Sequence, residues 1–414
     1  MNATRLQLPL PVLLALLAAI GPLSIDMYLP AMSAMAGSLA SDIHHIELSV
    51  STFLLGFALG QITGGPLSDR LGRRPVIFIG LGLFGLASLA LTYVSSLDGL
   101  LFLRGLQAIG GGLAVVNSTA IVRDHFEGAD IARVLSMVAM IMMAAPLLAP
   151  MLGSLVLTFS GWRDIFGILS GYAFLLIVIL VWQLPESHPP HRRIKRSPWA
   201  GYATVLRHRT ARRYILMLAS AYSGMFVFIT ASPYLYLEHF GQSEQVFPWL
   251  FGANVIVIML MNRLNIYLLK FWSPRRLLTL GIAMQFSSAL ALLALALSPF
   301  FVLPVVLPLL MIYVGSLGLI TANTMGSIMQ HFREVAGSAT ALMGVIQFSG
   351  GALAGLLWGH FHDHTPIPMM EVSLLTATLA LIFLLMARRA DSHEVSDNAA
   401  IEADTATETA TATD

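Results

Sequence analysis

The chain has 414 residues, 57% of them hydrophobic and 11% charged, with a formal net charge of +1. Ordinary soluble domains carry about a quarter charged residues, so a soluble globule is excluded and a polytopic membrane protein is indicated. No cysteine is present, which excludes disulfides and Cys-ligated metal sites.

Apolar runs near the roughly 20 residues needed to cross a bilayer recur along the chain. Their predicted spans, numbered helix 1 to helix 12, are 8–30, 46–66, 75–95, 99–121, 133–157, 163–184, 214–235, 247–266, 277–297, 301–323, 338–358 and 370–388. With a cytoplasmic N-terminus and alternating helices, all but two of the 23 Lys and Arg fall on the cytoplasmic side; the exceptions are Arg104 inside helix 4 and Arg163 at the outer end of helix 6. The positive-inside rule therefore predicts both termini in the cytoplasm. The N-terminal basic residue, apolar stretch and Ala34-Met35-Ala36 also have the outline of a signal peptide. Cleavage there would remove Asp26 and upset the even helix count, so the segment is read as helix 1.

Helix 1 contains Asp26, in GPLSIDMYLP, the only charged residue between Arg5 and Asp42. A charged group in hydrocarbon costs roughly 2.5 to 3.5 kcal/mol by insertion scales, which makes Asp26 the first functional candidate. Helix 2 places Gly56, Gly60 and Gly64 four apart, a small face for close helix approach that suits static packing or a moving contact equally. The loop that follows, GGPLSDRLGRRP, crowds Asp69, Arg70, Arg73 and Arg74 between Gly65, Pro66 and Gly72. A purely topogenic cluster needs only positive charge; Asp69 among arginines is expected to anchor a gate, on a helix N-terminus or on Arg123 at the inner end of helix 4.

Helix 4 carries Arg104 at about the depth of Asp26, counted from the outer ends at 1.5 Å per residue. Each would lower the other's burial penalty, as a structural ion pair or as a working one. Arg104, Gln107, Gly111 and Ala114 form a polar and small stripe suited to a cavity wall, with Asn117 below it. In helix 5, Pro146 and Pro150 followed by Gly153 predict a bend. Residues 185–213 form a basic linker, within which Trp199–Leu206 is expected to lie as a short amphipathic helix on anionic headgroups. Helix 7 offers Tyr222, Phe226 and Tyr234, able to stack on an apolar or cationic ligand or simply to pack. Helix 11 repeats the small face with Gly351, Gly355 and Gly359, and beyond Arg389 an acidic, Ala- and Thr-rich tail is expected to be disordered.

At an offset of 206 residues Asn117, His125, Phe126 and Met137 meet Asn323, His331, Phe332 and Met343, while Tyr28 and Leu29 meet Tyr234 and Leu235. This predicts a duplicated six-helix unit: an N-terminal bundle (1–184), the basic cytoplasmic linker (185–213), a C-terminal bundle (214–388) and the tail (389–414). Asp26 corresponds to Ser232 and Arg104 to Leu310, so both intramembrane charges belong to the first half.

The loop GGPLSDRLGRRP, LRGLQAIGGG in helix 4 and APLLAPMLG in helix 5 resemble the signatures of the major facilitator superfamily. The strings SIDMYLPA, FLLGFALGQ and GWRDIF narrow the resemblance to the Bcr/CflA family of bicyclomycin and chloramphenicol exporters. The resemblance implies an all-α membrane protein of the major facilitator fold, with twelve transmembrane helices in two pseudo-symmetric halves. It further implies that Asp26 binds the transported proton and Arg104 tunes it, that Gly65, Asp69, Arg70, Gly72, Arg73 and Arg74 control the inner gate with Arg123, and that Pro146, Pro150 and Gly153 shape the contact of helices 5 and 8. The expected activity is proton-coupled export of small amphipathic antibiotics or other toxic compounds by alternating access, in a bacterial inner membrane. The partners are then drug, protons and lipid, with no nucleic acid, cofactor or metal, and the chain acts as a monomer. Tyr28, Gln107, Asn117, Tyr222, Phe226 and Tyr234 are the candidates for the substrate cavity. A proton-linked transporter of a metabolite such as a nucleoside, peptide or sugar stands as the alternative. An enzyme is not expected, because HExxH, a nucleophile elbow and clustered metal-site acids are missing from the sequence.

Overall fold

A computed structural model describes residues 8–189, 199–329 and 336–411, with the backbone alone over 390–411. Twelve helices are long and apolar enough to cross a membrane: Leu10–Ser38, Ile43–Leu71, Arg73–Leu91, Leu97–His125, Arg133–Phe159, Trp162–Gln183, Arg209–His239, Phe247–Leu268, Pro274–Ala296, Leu303–Ile328, Ala339–Phe361 and Ile367–Arg389. They match the predicted spans in number and order, and no strand occurs among the described residues.

Three spans are interrupted. Helix 1 stops at Asp26, passes through Met27 and Tyr28 into a 3-10 turn at Leu29–Ala31, and resumes at Met32–Ser38. Helix 7 runs from Arg209 to Pro233 and continues as a π-helical turn, Tyr234–His239. Helix 10 is divided into Leu303–Gly315 and Leu317–Met329. Broken backbone at membrane depth is tolerated where its polar groups find partners inside the protein. At the first break the amides of Met27 and Ala31 reach the carbonyls of Leu23 and Tyr28 at 3.1 and 2.9 Å.

The two glycine faces do different work. Gly56, Gly60 and Gly64 receive helix 4: a methyl at Gly56 would lie 2.5 Å from the carbonyl oxygen of Gly105, and one at Gly60 2.9 Å from the Cα of Gly112. That face packs the first half internally. Gly351 instead receives Phe226 of helix 7, while Gly355 and Gly359 receive Ser51 and Leu48 of helix 2. Gly351 thus packs helix 11 within its own half, while Gly355 and Gly359 serve the boundary between halves, which meet mainly through helix 2 against helix 11 and helix 5 against helix 8.

The linker contains the expected short helix, Trp199–Arg207, while residues 190–198, with four of its basic side chains, lie outside the described residues. The tail departs from expectation, because the last helix extends through Thr411. No Gly or Pro follows Pro368 in that stretch, and Ala and Glu are among the better helix formers.

Candidate functional site

Between the halves lies a cavity of about 530 Å³. Its wall is mostly apolar, with Phe57, Phe226, Phe251 and Phe348 and Met142, Met143, Met225 and Met325 set among aliphatic residues such as Ile25, Val255 and Ile258. Gln61, Tyr222, Asn254, Asn262 and Thr321 add neutral polar groups, and Asp26 is the only charged side chain in the lining among the described residues. Asp26 is the last helical residue before the break in helix 1. Its carboxylate is buried, and Oδ1 has no hydrogen-bond partner. Buried polar atoms are nearly always paired, so the cavity presents one acceptor that the protein itself leaves open.

Arg104 is not that partner. It lies outside the cavity wall, fully buried, donating to Oε1 of Gln107 at 2.6 Å and to the carbonyl of Ser24 at 3.0 Å. Its guanidinium carbon sits 4.3 and 4.4 Å from the ring centroids of Tyr28 and Phe53, a cation-π enclosure that stabilises an Arg in place of a counter-ion. The expected ion pair with Asp26 is not formed. Equal depth did not imply the same facing: helix 1 turns Asp26 towards the second half, whereas Arg104 points into the first. What joins them is backbone, because the carbonyl that Arg104 holds belongs to Ser24, two residues before Asp26.

Of the six residues expected to line the cavity, Tyr222 and Phe226 do so. Tyr28 is enclosed beneath Arg104, with its hydroxyl 2.9 Å from Oγ of Ser49. Gln107 is drawn into the first half by Arg104 and by Ser88, to which its amide donates at 2.8 Å. Asn117 donates back to the carbonyl of Leu113 in its own helix, and Tyr234 belongs to the far end of the bundle, where its hydroxyl donates to the carbonyl of His364 at 2.6 Å. In helix 5, Pro146 lines the cavity. At Gly153 a side chain would overlap the carbonyl of Met27, so this glycine seats helix 5 on the break in helix 1.

The basic loop after helix 2 ties together the first half. Gly72, at φ 102°, reverses the chain so that Arg73 returns to Asp69 and Ser68, each accepting at 2.6 Å; a residue with a Cβ is strained there. Nε of Arg73 also reaches Asp124 at 3.4 Å. The carboxylate of Glu186, past the end of helix 6, accepts the backbone amides of Arg73 and Arg74 at 2.9 and 3.1 Å, an anionic cap on helix 3. Asp69 therefore pairs with Arg73 rather than with Arg123, and Arg70 is exposed. The linker reaches this loop through Tyr202, whose hydroxyl would lie 3.4 Å from a methyl at Gly65. Burial raises the Tyr202 phenol above its ordinary pKa, and the nearby charge of Asp69 adds to the effect.

At the opposite face a second buried carboxylate closes the boundary, one that the sequence reading passed over. Glu47 of helix 2 is 1% exposed and accepts the backbone amide of Tyr234 at 3.0 Å and the indole N–H of Trp358 at 2.9 Å, both from the second half. Beside it the imidazole of His44 stacks on His362, with ring centroids 3.2 Å apart. Burial, with His44 and His364 nearby, pushes His362 down to about 4, so it is neutral at neutral pH. The available signal was the spacing of His44, Glu47 and Ser51, which puts all three on one helical face. Glu47 was passed over because it lies near a helix end, where charge ordinarily meets water.

The Major Facilitator Superfamily profile matches residues 14–355. The chain belongs to the major facilitator superfamily. It is 31% identical over 380 residues to the MFS-type transporter YdgK of Bacillus subtilis, covering 90% of this chain and 94% of that one. Identity is 28% to a bicyclomycin resistance protein homolog of Haemophilus influenzae (90% and 94% covered) and 30% to a chloramphenicol resistance protein of Pseudomonas aeruginosa (88% and 87%), which bears out the narrower Bcr/CflA likeness. Among solved structures, the nucleoside transporter NupG superposes with a TM-score of 0.69 at 14% identity, covering 92% of this chain and 99% of that one. The xylose transporter XylE from E. coli gives 0.67 at 15%, covering 92% and 97%. At such identities these two establish the fold alone. As a superfamily member the chain is a multi-pass membrane transporter and not an enzyme.

Proposed function

We propose that this chain exports small amphipathic toxic compounds in exchange for protons, rocking its two halves around the central cavity by alternating access. The observation that carries the reading is Asp26, a lone carboxylate with an unpartnered oxygen in the wall of a cavity lined mostly by apolar residues with a few neutral polar groups. Such a wall suits a ligand with a large apolar body. The free acceptor has two natural partners, a proton and a donor on the substrate, and competition between them is the simplest form of exchange. Named resistance proteins among the relatives support a drug as cargo over a sugar or nucleoside. So do the few polar groups in the lining, since a polyhydroxylated solute needs many hydrogen-bond partners.

The charge state of Asp26 has a mechanical route outward. Asp26 ends the first segment of helix 1, Arg104 grips the carbonyl of Ser24 two residues before it, and the carbonyl of Met27 immediately after it rests on Gly153 of helix 5. A proton arriving or leaving thus acts on a break packed against the helix that meets helix 8 of the other half. The distribution of Lys and Arg supports cytoplasmic termini and a bacterial inner-membrane location, with substrate loading from the cytoplasm or inner leaflet. Net charge movement would be driven at about 2.3 kcal/mol per elementary charge per 100 mV. The chain acts as a monomer, since each half finds its partner within the same polypeptide.

The test is drug-driven proton release from the purified protein and proton-driven drug efflux in proteoliposomes, comparing wild type with Asp26→Asn. The variant is expected to stay folded and lose both. Undiminished proton release would overturn the assignment.

A further inference from the structure

We propose that His44, His362 and His364 form a binding site for a divalent transition-metal ion of the zinc type, which staples the two halves together on the face opposite the basic loops. The proposal rests on the alternating-access reading for its consequence, but not for the site itself. One nitrogen of each imidazole can be chosen so that the three lie within 4.8 Å of one another. His44 comes from helix 2 of the first half; His362 and His364 come from the loop joining helices 11 and 12 of the second. Two of these side chains carry a buried nitrogen, Nδ1 in each, that meets no hydrogen-bond partner. That is an unusual pair of orphans for a boundary otherwise closed by Glu47, Tyr234 and Trp358.

Three imidazoles select zinc, copper, nickel or cobalt over the oxygen-seeking magnesium and calcium. Tetrahedral zinc with bonds of about 2.0 to 2.1 Å holds neighbouring nitrogens about 3.4 Å apart, so a contraction of up to about 1.4 Å from the 4.8 Å spread converts the observed cluster into a ligand set. His44 and His362, now stacked at 3.2 Å, turn from face-to-face to edge-convergent as the ion enters. His362 presently accepts the amide of His364 on Nε2 at 2.8 Å, a bond that gives way to the ion. Oε2 of Glu47, which accepts the indole N–H of Trp358, lies 3.7 Å from Nδ1 of His44, placed to orient that ring or to join the ion as a fourth ligand. His364 sits at φ 61°, in a loop pinned by Tyr234 to its carbonyl and by Thr365 to Asp363 at 3.0 and 2.6 Å.

Because the ligands come from both halves, the ion binds only conformations closed on this face, and it shifts the population towards them by its differential affinity. It is therefore a brake applied from the side on which the cycle must open to release its cargo.

The experiment titrates Zn²⁺ into the purified full chain in detergent, without drug, by calorimetry and by competition with a chromophoric chelator. Wild type is expected to take up one Zn²⁺ at this site with a raised melting temperature, His44→Gln and His364→Gln each to weaken binding tenfold or more, and Mg²⁺ to do neither. Equal Zn²⁺ affinity in wild type and in both variants overturns the proposal, as does a Mg²⁺ response equal to that of Zn²⁺. His364 is exposed enough for its substitution to leave folding intact, so a folding failure at His44 alone does not spoil the test. Export is measured separately in chelator-treated proteoliposomes. Loss of export there counts against the exchange reading, whereas efflux that persists at saturating external Zn²⁺ counts against the brake.

Discussion

The two halves share a scaffold and differ in what they bury. Asn117 donates to the carbonyl of Leu113 at 2.8 Å, and its counterpart Asn323 donates to that of Leu319 at 2.7 Å, the same local bond in helices 4 and 10. Nearer the N-terminal ends of the same helices the likeness ends. Where the first half encloses Arg104 and bonds it to Gln107, the second places Leu310 and Tyr313, the latter shared between Ser373 and Thr376. Where the first half ends a helix on Asp26, the second has Ser232, satisfied by the carbonyl of Ile229 at 3.0 Å. Among the described residues the buried acids and arginine, Asp26, Glu47 and Arg104, all belong to the first half, and the other supplies a neutral buried surface for them to move against.

The sharpest way to break that contrast is to neutralise each member of the first pair. Asp26→Asn is expected to reduce proton-coupled export to background, while Ser232→Ala leaves it near wild type, both read as drug efflux in proteoliposomes. Next in size is Arg104→Leu, which gives helix 4 the residue of helix 10. It strands Gln107 and the Ser24 carbonyl, a loss of about 1–3 kcal/mol, offset by removal of an unpaired buried charge. The expected result is a folded protein whose export no longer follows the imposed pH gradient, and Arg104→Lys does not rescue it, because an ammonium lacks the planar fork that stacks and donates in two directions.

Helix packing offers a smaller contrast. Gly60→Ala should lower the stability of the first half by about 1–3 kcal/mol through overpacking against helix 4, visible in the melting temperature. Gly82→Ala meets no atom within 4 Å and should stay within about 0.5 kcal/mol of wild type. Between these, Glu47→Gln keeps the shape of the closure but offers one acceptor oxygen where two are used. Hydrogen bonds to a charged group contribute about 1.5–3 kcal/mol, so the boundary should open at least about tenfold more often. Alkylation of Leu48→Cys measures this, in a chain with no native cysteine to confuse it.

The twelve spans were legible because length and apolarity are one-dimensional quantities that a sequence carries directly. In the stretch after helix 2 the turn at Gly72 was legible, but Gly65 to Leu71 continue the helix where a loop was expected, and Asp69 pairs with Arg73. Facing was not. Arg104 and Asp26 matched in depth, but depth leaves the angle about each helix axis undetermined, and the break after Asp26 resets that angle for the rest of helix 1. The same gap hid the difference between the glycine faces of helices 2 and 11, identical in spacing and different in use. Gln107 read as a cavity group because it shares a polar stripe with Arg104; that stripe, with Tyr28, turned out to belong to the arginine's own enclosure.

One consequence lies in the π-helical turn at the end of helix 7. The amide of Tyr234 is shared, donating to the carbonyl of Ala231 within its own helix and to Glu47 from the opposite half. When the halves part, the amide keeps an acceptor at home, while the carboxylate must find water. Separation therefore leaves no bare donor on this turn, although the indole N–H of Trp358 loses the same carboxylate and must find another acceptor; the irregular turn makes its own contact cheap to break from one side and demanding from the other. A regular helix would have offered no such donor, and the boundary would have lost a seal that can be remade every cycle.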